Sequence, residues 1–113
     1  MAAPITTFVN EGDTIDYTPG SAVLEGAVVV QEEMVGVAVR AIAAGALGAL
    51  RVKGVLDFPK TAATAYTAGK LAYWDAADQD AQEDSDTGTN KLIGKVVTDA
   101  AEADATVRIR MDQ

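Results

Sequence analysis

The stretch AVLEGAVVVQEEMVGVAVRAIAAGALGALRVK, residues 22–53, decides the fold because a later part of the chain repeats it. Residues 65–110 carry the second copy in three pieces, AYTAGKLAYWD, NKLIGKVV and ATVRIR. The aligned pairs are Gly26 with Gly69, Gly36 with Gly94, Val28 with Leu71, and Val30 with Tyr73. Two repeats are too few for a solenoid, which needs at least three to bury a continuous core. We therefore expect one compact domain with pseudo-repeated halves.

The end of each copy alternates apolar and basic residues. The segment LRVK at 50–53 aligns with VRIR at 107–110. Alternation of this kind is typical of a half-buried strand, in which successive side chains point to opposite faces. We expect Val107, Ile109 and Met111 on one face of the last strand, with Arg108 and Arg110 on the other.

The remaining pattern predicts a mainly β protein with little helix. Two hairpins are expected, the first joining residues 27–31 to 34–42 across Glu32 and Glu33, the second joining 70–74 to 91–97. Further strands are predicted at residues 5–9, 14–18, 50–58 and 106–111, with Gly54 as a bulge inside the third of these. About eight short strands separated by turn residues indicate a small β-barrel or β-sandwich.

Three segments define the predicted domain organisation. Residues 1–10 form a flexible N-terminal arm, and residues 11–113 form a single β domain. Within that domain the segment WDAADQDAQEDSDTGTN begins at Trp74, and residues 75–90 are expected to be an inserted acidic loop. A block of like charges is usually a solvated, mobile loop.

The core available to this domain is light. The chain has 113 residues, of which 49% are hydrophobic, but only six are aromatic (one Trp, three Tyr and two Phe). Because large side chains provide most of the burial free energy, at about 25 cal/mol per Å² of apolar area, we expect self-association to supplement the stability of the monomer.

The composition also excludes several functions. The chain contains no Cys and no His, which removes disulfides, thiolate metal sites and the commonest general base. A net charge of −8 argues against a nucleic-acid partner, since binding to the phosphate backbone needs a cationic surface. No apolar run approaches the roughly 20 residues of a spanning helix, so no membrane partner is expected and the protein is predicted to be soluble.

Two candidate ligand sites fail on spacing. The acidic segment resembles a calcium loop, yet counting from Asp78 places Glu83 where the glycine of an EF-hand belongs and Thr89 where its last glutamate belongs. The Gly-Lys pairs at 69–70 and 94–95 lack the preceding glycine and the following Ser or Thr of a phosphate-binding loop. We expect no cofactor, no metal and no catalytic residue.

The cluster Tyr73-Trp74 contains the residues best suited to an interface. Neighbouring strand residues face opposite sides, so one of the two is expected in the core and the other at an oligomer interface, where aromatic residues are enriched. Arg108 and Arg110 are expected either to pair with acids of a neighbouring subunit or to form an exposed, solubilising strand face.

Taken together, these segments resemble the phage capsid cement or decoration proteins, a family long grouped as a domain of unknown function. The resemblance covers nearly the whole chain. It rests on FVNEGDTIDYT, GAVVV with VGVA, AAG followed by RVKGVLDFPK, TAGKLAYWD, LIGKVV and ATVRIRM, in that order. Some members carry a label as RecA-like recombinases, which an acidic chain without a phosphate loop does not support.

The resemblance implies a non-enzymatic virion protein, made in the bacterial host cytoplasm, that docks on the outside of an assembled capsid. Its partners would be the major capsid protein and further copies of itself, as a homo-oligomer that we expect to be a trimer. We expect the arm residues Ile5, Phe8 and Val9 to contact the capsid, and Tyr73, Trp74, Arg108 and Arg110 to form the oligomer interface. The alternative is an oligomeric β scaffold that binds a small molecule or a polysaccharide.

Overall fold

The protein is built from two antiparallel β-sheets with very little helix. A computed structural model describes Pro4 and residues 6–112. In that part of the chain the strands are β1 (Thr14–Tyr17), β2 (Val28–Gln31), β3 (Met34–Ala38), β4 (Gly48–Arg51), β5 (Gly54–Pro59), β6 (Leu71–Asp75), β7 (Asp80–Gln82), β8 (Lys91–Val96) and β9 (Thr106–Met111). A single 3₁₀ turn, Asp86–Gly88, accompanies them. The expected mainly β fold is confirmed, and of the two expected architectures the sandwich-like one is present, because the sheets do not close into a barrel.

The two halves repeat the same topology. The strand order is β1-β4-β3-β2 in the first sheet and β5-β9-β8-β6-β7 in the second, so each strand of the first sheet has a counterpart and β7 is added at one edge. Hydrogen bonds outside the strands repeat as well. Val23 and Ile42 exchange two bonds of 2.9 Å, as do Tyr66 and Ala100, and a glycine amide (Gly26 or Gly69) donates to the end of the third strand (Ala38 or Val96). The predicted pseudo-repeat is therefore confirmed at the level of the backbone.

The alignment of the last strands needs a correction of two residues. Leu50 lies opposite Ala38 in the first sheet, and Ile109 lies opposite Val96 in the second. Leu50 is thus the counterpart of Ile109, not of Val107. A shift of two residues keeps every side chain on the same face, which is why the apolar/basic alternation alone did not distinguish the two registers.

The first hairpin is confirmed, with β2 and β3 joined at Glu32 and Glu33, but its second strand ends at Ala38 and not at the expected Ile42. The prediction of a single strand at residues 50–58 is wrong. The segment is two strands in different sheets, separated at Val52 and Lys53, and the chain changes direction at Gly54, whose φ of 120° is a conformation that residues with a side chain rarely adopt.

The second hairpin is also confirmed, since β6 pairs with β8. Its acidic connection is more ordered than the expected loop. It contains β7, which adds to the free edge of β6 and buries Ala81 completely. Asn90 is buried after it, and its Nδ2 donates a 2.9 Å hydrogen bond to the carbonyl of Asp84. The sequence does not indicate this strand, because a single small apolar residue anchors it among acids.

The expected strand at residues 5–9 does not form over residues 6–9, which lie outside any strand, while Ile5 lies outside the described residues. The chain becomes regular at β1, after the Asn10 side chain accepts a 2.8 Å hydrogen bond from the Gly12 amide.

The main core lies between the sheets and joins the two halves. The second sheet provides most of its residues, including Phe58, Trp74, Ile93, Val96, Val107, Ile109 and Met111. The first sheet adds one face of its hairpin, with Val35 and Val37 fully packed and Val28 and Val30 partly buried against them. The rings of Phe58 and Trp74 contact each other at 6.2 Å, in the tilted geometry that aromatic pairs prefer.

The opposite face of the first sheet has a smaller apolar cluster made possible by glycines. Leu50 covers Gly36, and Ile42 covers Gly48, so closely that a methyl group on either glycine would collide with the covering side chain. Ala38, Ile42 and Leu50 are buried there.

Gly94 provides a test of the second sheet. A Cβ atom at this position would overlap the backbone carbonyl of Arg110, which cannot move without breaking the pairing of β8 and β9. We expect Gly94→Ala to lower the free energy of unfolding by about 3 kcal/mol or more, at the upper end of overpacking effects, in urea unfolding followed by circular dichroism.

Gly20→Ala is the matched control, because a Cβ atom there has nothing within 4 Å. We expect the control to change stability by less than about 0.5 kcal/mol. Equal stability of the two variants would show that β8 and β9 do not approach each other as described.

Candidate interaction surfaces

The outward side of the second sheet, called the outer face below, is the broadest candidate surface. The residues of β5, β9, β8 and β6 that point away from the core form it. They are Val55, Asp57, Pro59, Leu71, Tyr73, Asp75, Leu92, Lys95, Thr106, Arg108 and Arg110, and Val97 directly after β8 joins them. Residues directly opposite in antiparallel strands share a face, so the register of the four strands places these side chains together.

The outer face exposes several large apolar side chains to solvent. Val55 is 55% exposed, Leu71 44% and Val97 40%, and all three are among the large apolar residues that the described chain leaves in solvent. Single exposed apolar residues are ordinary, but several on one face mark a site of association.

Arg108 on this face is paired within the chain. Its Nε donates to Oδ1 of Asp57 at 2.9 Å, and its Nη2 donates to Oδ2 at 3.3 Å, a two-bond contact between neighbouring strands. The hydrogen bond and the positive charge of Arg108 hold the pKa of Asp57 below its ordinary value, and Asp57 in turn raises the pKa of Arg108.

Arg110 has a different environment. It lies directly opposite Lys95, and both side chains are exposed. Among the described residues neither forms an ion pair or a side-chain hydrogen bond. Two like charges directly opposite each other destabilise a sheet, so this pair favours association with an anion.

Three of the four predicted interface residues, Tyr73, Arg108 and Arg110, share the outer face. The fourth, Trp74, is 3% exposed and packs in the core, so it does not reach the surface of the chain. Of the two adjacent aromatic residues, Tyr73 is the outward one, and its role at an interface stays a prediction. Val55, Leu71, Lys95 and Val97 were missed because their nearness to Arg110 depends on pairing between strands distant in sequence.

The N-terminal segment is the second candidate surface. Phe8 is 76% exposed and Val9 84% exposed, although both are apolar. The chain is held from Asp13 onward, whose carbonyl accepts a 3.0 Å hydrogen bond from the Val52 amide. Residues 6–9 therefore present two large apolar side chains to solvent shortly before the first strand.

The acidic segment, residues 75–86, is the third candidate surface. The carboxylates of Asp75, Asp78 and Asp80 lie within 4.8 Å of one another. Asp75 caps a turn, because its Oδ1 accepts hydrogen bonds from the amides of Ala77 and Asp78, and Gln82 donates to both Asp75 and Asp80. This turn chemistry accounts for the cluster without a cation.

Among the described residues one lysine is buried, and it has a structural role. Lys60 is 7% exposed, and its Nζ donates to the carbonyls of Thr61 and Glu102 while lying 5.4 Å from the ring centre of Tyr66. The side chain thus fastens two loops at one end of the second sheet.

An open, largely apolar cleft of about 300 Å³ lies at the first sheet, lined by residues including Val39, Ile42 and Leu47.

Comparison with known proteins identifies a family. Residues 9–111 match the family model described as phage cement protein. No curated protein and no solved structure matches the chain. In the part of the chain that the structure describes, no helix has the length and apolarity to cross a membrane.

The contact between Asp57 and Arg108 predicts that the stability of the fold depends on pH. Because folding lowers the pKa of Asp57, the pair stabilises the fold above the unfolded-state pKa, and this contribution is lost as the pH falls through the folded-state pKa. We expect an NMR titration to give a pKa for Asp57 below that of an unperturbed aspartate, and Arg108→Gln to return it to the ordinary range.

Arg110→Gln is the control, since this substitution removes the same charge from the outer face, and Arg110 makes no hydrogen bond to Asp57. It should leave the pKa of Asp57 almost unchanged. An equal rise in both variants would mean that the general charge of the face, and not the direct contact, sets this pKa.

Proposed function

This chain belongs to the phage cement protein family, and we propose that it binds the outside of an assembled capsid and stabilises it without catalysing a reaction. The family match across residues 9–111 carries the proposal, since it assigns a structural role associated with the phage capsid. The exposed apolar residues of the N-terminal segment and the outer face support it, because contact surfaces are what a cement protein requires.

Repetition strengthens such binding. A capsid presents the same site many times, so an oligomer that has bound through one subunit holds the others at a high effective concentration near the next sites. Weak contacts from a small protein then add up to stable attachment. A shell held at many points resists expansion or rupture more strongly than its own contacts allow.

The N-terminal arm is the proposed capsid contact, through Ile5, Phe8 and Val9. The exposure of Phe8 and Val9 supports this assignment. An extended segment can add a strand to an open sheet edge of a partner and insert alternate side chains into its pockets. The partner is the major capsid protein.

The proposed oligomer is a trimer located on the virion exterior. The light core of the chain, with six aromatic residues in 113, supports self-association as a source of stability. Tyr73, Arg108 and Arg110 are the proposed interface residues.

Deletion of residues 1–10 tests the capsid contact. The strands begin at Thr14, so we expect the truncated protein to keep its circular dichroism spectrum and unfolding midpoint. Burial of a Phe or Val side chain contributes about 1.5–3 kcal/mol, so co-sedimentation with undecorated capsids should weaken by at least about tenfold.

The paired substitutions Phe8→Ser with Val9→Ser should reproduce much of that loss. The control, Thr6→Ser with Thr7→Ser, changes neighbouring residues of the same segment and should bind like the unaltered protein. Undiminished binding of the deletion variant would overturn the arm assignment, and failure of the unaltered protein to bind capsids would overturn the proposed function.

A further inference from the structure

A single row of side chains crosses four strands of the outer face. Val55, Arg110, Lys95 and Leu71 lie directly opposite one another on β5, β9, β8 and β6. Neighbouring strands are about 4.8 Å apart, so the row forms a stripe about 15 Å long. Two unpaired cations occupy its middle, and two apolar residues occupy its ends.

The charge of the face is opposite to that of the chain. The chain carries 17 acidic and 9 basic residues, for a net charge of −8. The outer face carries Lys95, Arg108 and Arg110 against two acids. Asp57 is already paired with Arg108, and Asp75 at the far end of β6 accepts a hydrogen bond from Gln82. The charge left uncompensated is that of Lys95 and Arg110.

The apolar half of the corresponding row in the first half is packed in the core already, while its other half is exposed. The row consists of Thr14, Arg51, Val37 and Val28, in the equivalent positions of β1, β4, β3 and β2. There Val37 is buried and Val28 is partly buried, because this side of the first sheet packs against the core of the second. In the described chain, no sheet packs against the equivalent side of the second sheet, which is the outer face.

The acidic segment has the complementary charge. Residues 75–86 contain six carboxylates and no lysine or arginine; they are Asp75, Asp78, Asp80, Glu83, Asp84 and Asp86. Asp78 and Asp86 are exposed, and among the described residues their carboxylates accept no hydrogen bond. The segment lies at the β6–β7 edge of the second sheet, whereas Arg110 lies two strands away on β9.

We propose that the row Val55, Arg110, Lys95 and Leu71 binds the acidic segment of a second copy of this chain. In the proposed trimer this contact is head-to-tail, and it closes into a ring when the rotation between copies allows. The inference rests on the proposed function for the oligomer and names the surfaces that hold that oligomer together.

The test uses two variants with altered charges. In the face variant, Lys95→Glu and Arg110→Glu make the row acidic; in the segment variant, Asp78→Lys and Asp86→Lys make the segment more basic. The control is Arg40→Glu with Arg51→Glu, which changes the net charge by the same amount at exposed positions of the first half, one of them the counterpart of Arg110. Circular dichroism checks that each variant is folded.

Sedimentation velocity at about 50 mM salt then measures the mass of each protein. We expect the unaltered chain and the control to associate, and the face variant and the segment variant to associate at least about tenfold more weakly when alone. An equal mixture of the two variants should form mixed pairs, because the unaltered row of the segment variant meets the unaltered acidic segment of the face variant. High salt should weaken association of the unaltered chain.

Several results would overturn the inference. These are a monomeric unaltered chain, a face variant of unaltered mass, or a face variant that dissociates and is not rescued by the segment variant. A face variant that keeps its mass but no longer binds capsids would show that the row meets the capsid instead. If the two variants associate when mixed but no protein binds capsids, the inference stands and the proposed function fails.

Discussion

The packing of one face of the β2–β3 hairpin onto the second sheet is the contact on which the rest of the structure depends. Val35 and Val37 enter the same core as Ile93 and Met111, so the first half completes a cluster that the second half cannot close alone. Most of the large buried side chains belong to the second sheet. With so few aromatic residues, neither half has enough apolar volume for a separate core of normal size.

This packing also determines which surfaces remain free. The two halves have the same topology, but each uses a different side for the contact between them. The outer face of the second sheet is equivalent to the side of the first sheet that packs in the core. A repeat that packs in this way leaves the equivalent of each contact side unused, one on each half. On the second sheet that side carries exposed apolar residues and two cations that are unpaired among the described residues.

The sequence predicts local features well, because the period of the side chains shows both hairpins and the orientation of β9. It does not determine features that depend on distant partners. The division at Val52 and Lys53 requires knowing that two sheets exist, and β7 is anchored by the single residue Ala81. The predicted interface residues Tyr73, Arg108 and Arg110 lie together, but the position of Lys95 opposite Arg110 depends on a register that alternation alone leaves free by steps of two.

A cryo-electron microscopy reconstruction of capsids saturated with this protein would show whether the chain binds a repeated lattice and its own copies through the surfaces proposed above. We expect density on the outside of the shell, with the segment around Phe8 against the capsid protein and the outer face of each second sheet against the acidic segment of a neighbouring copy. Isolated molecules with solvent over that face, or density inside the shell, would contradict this expectation.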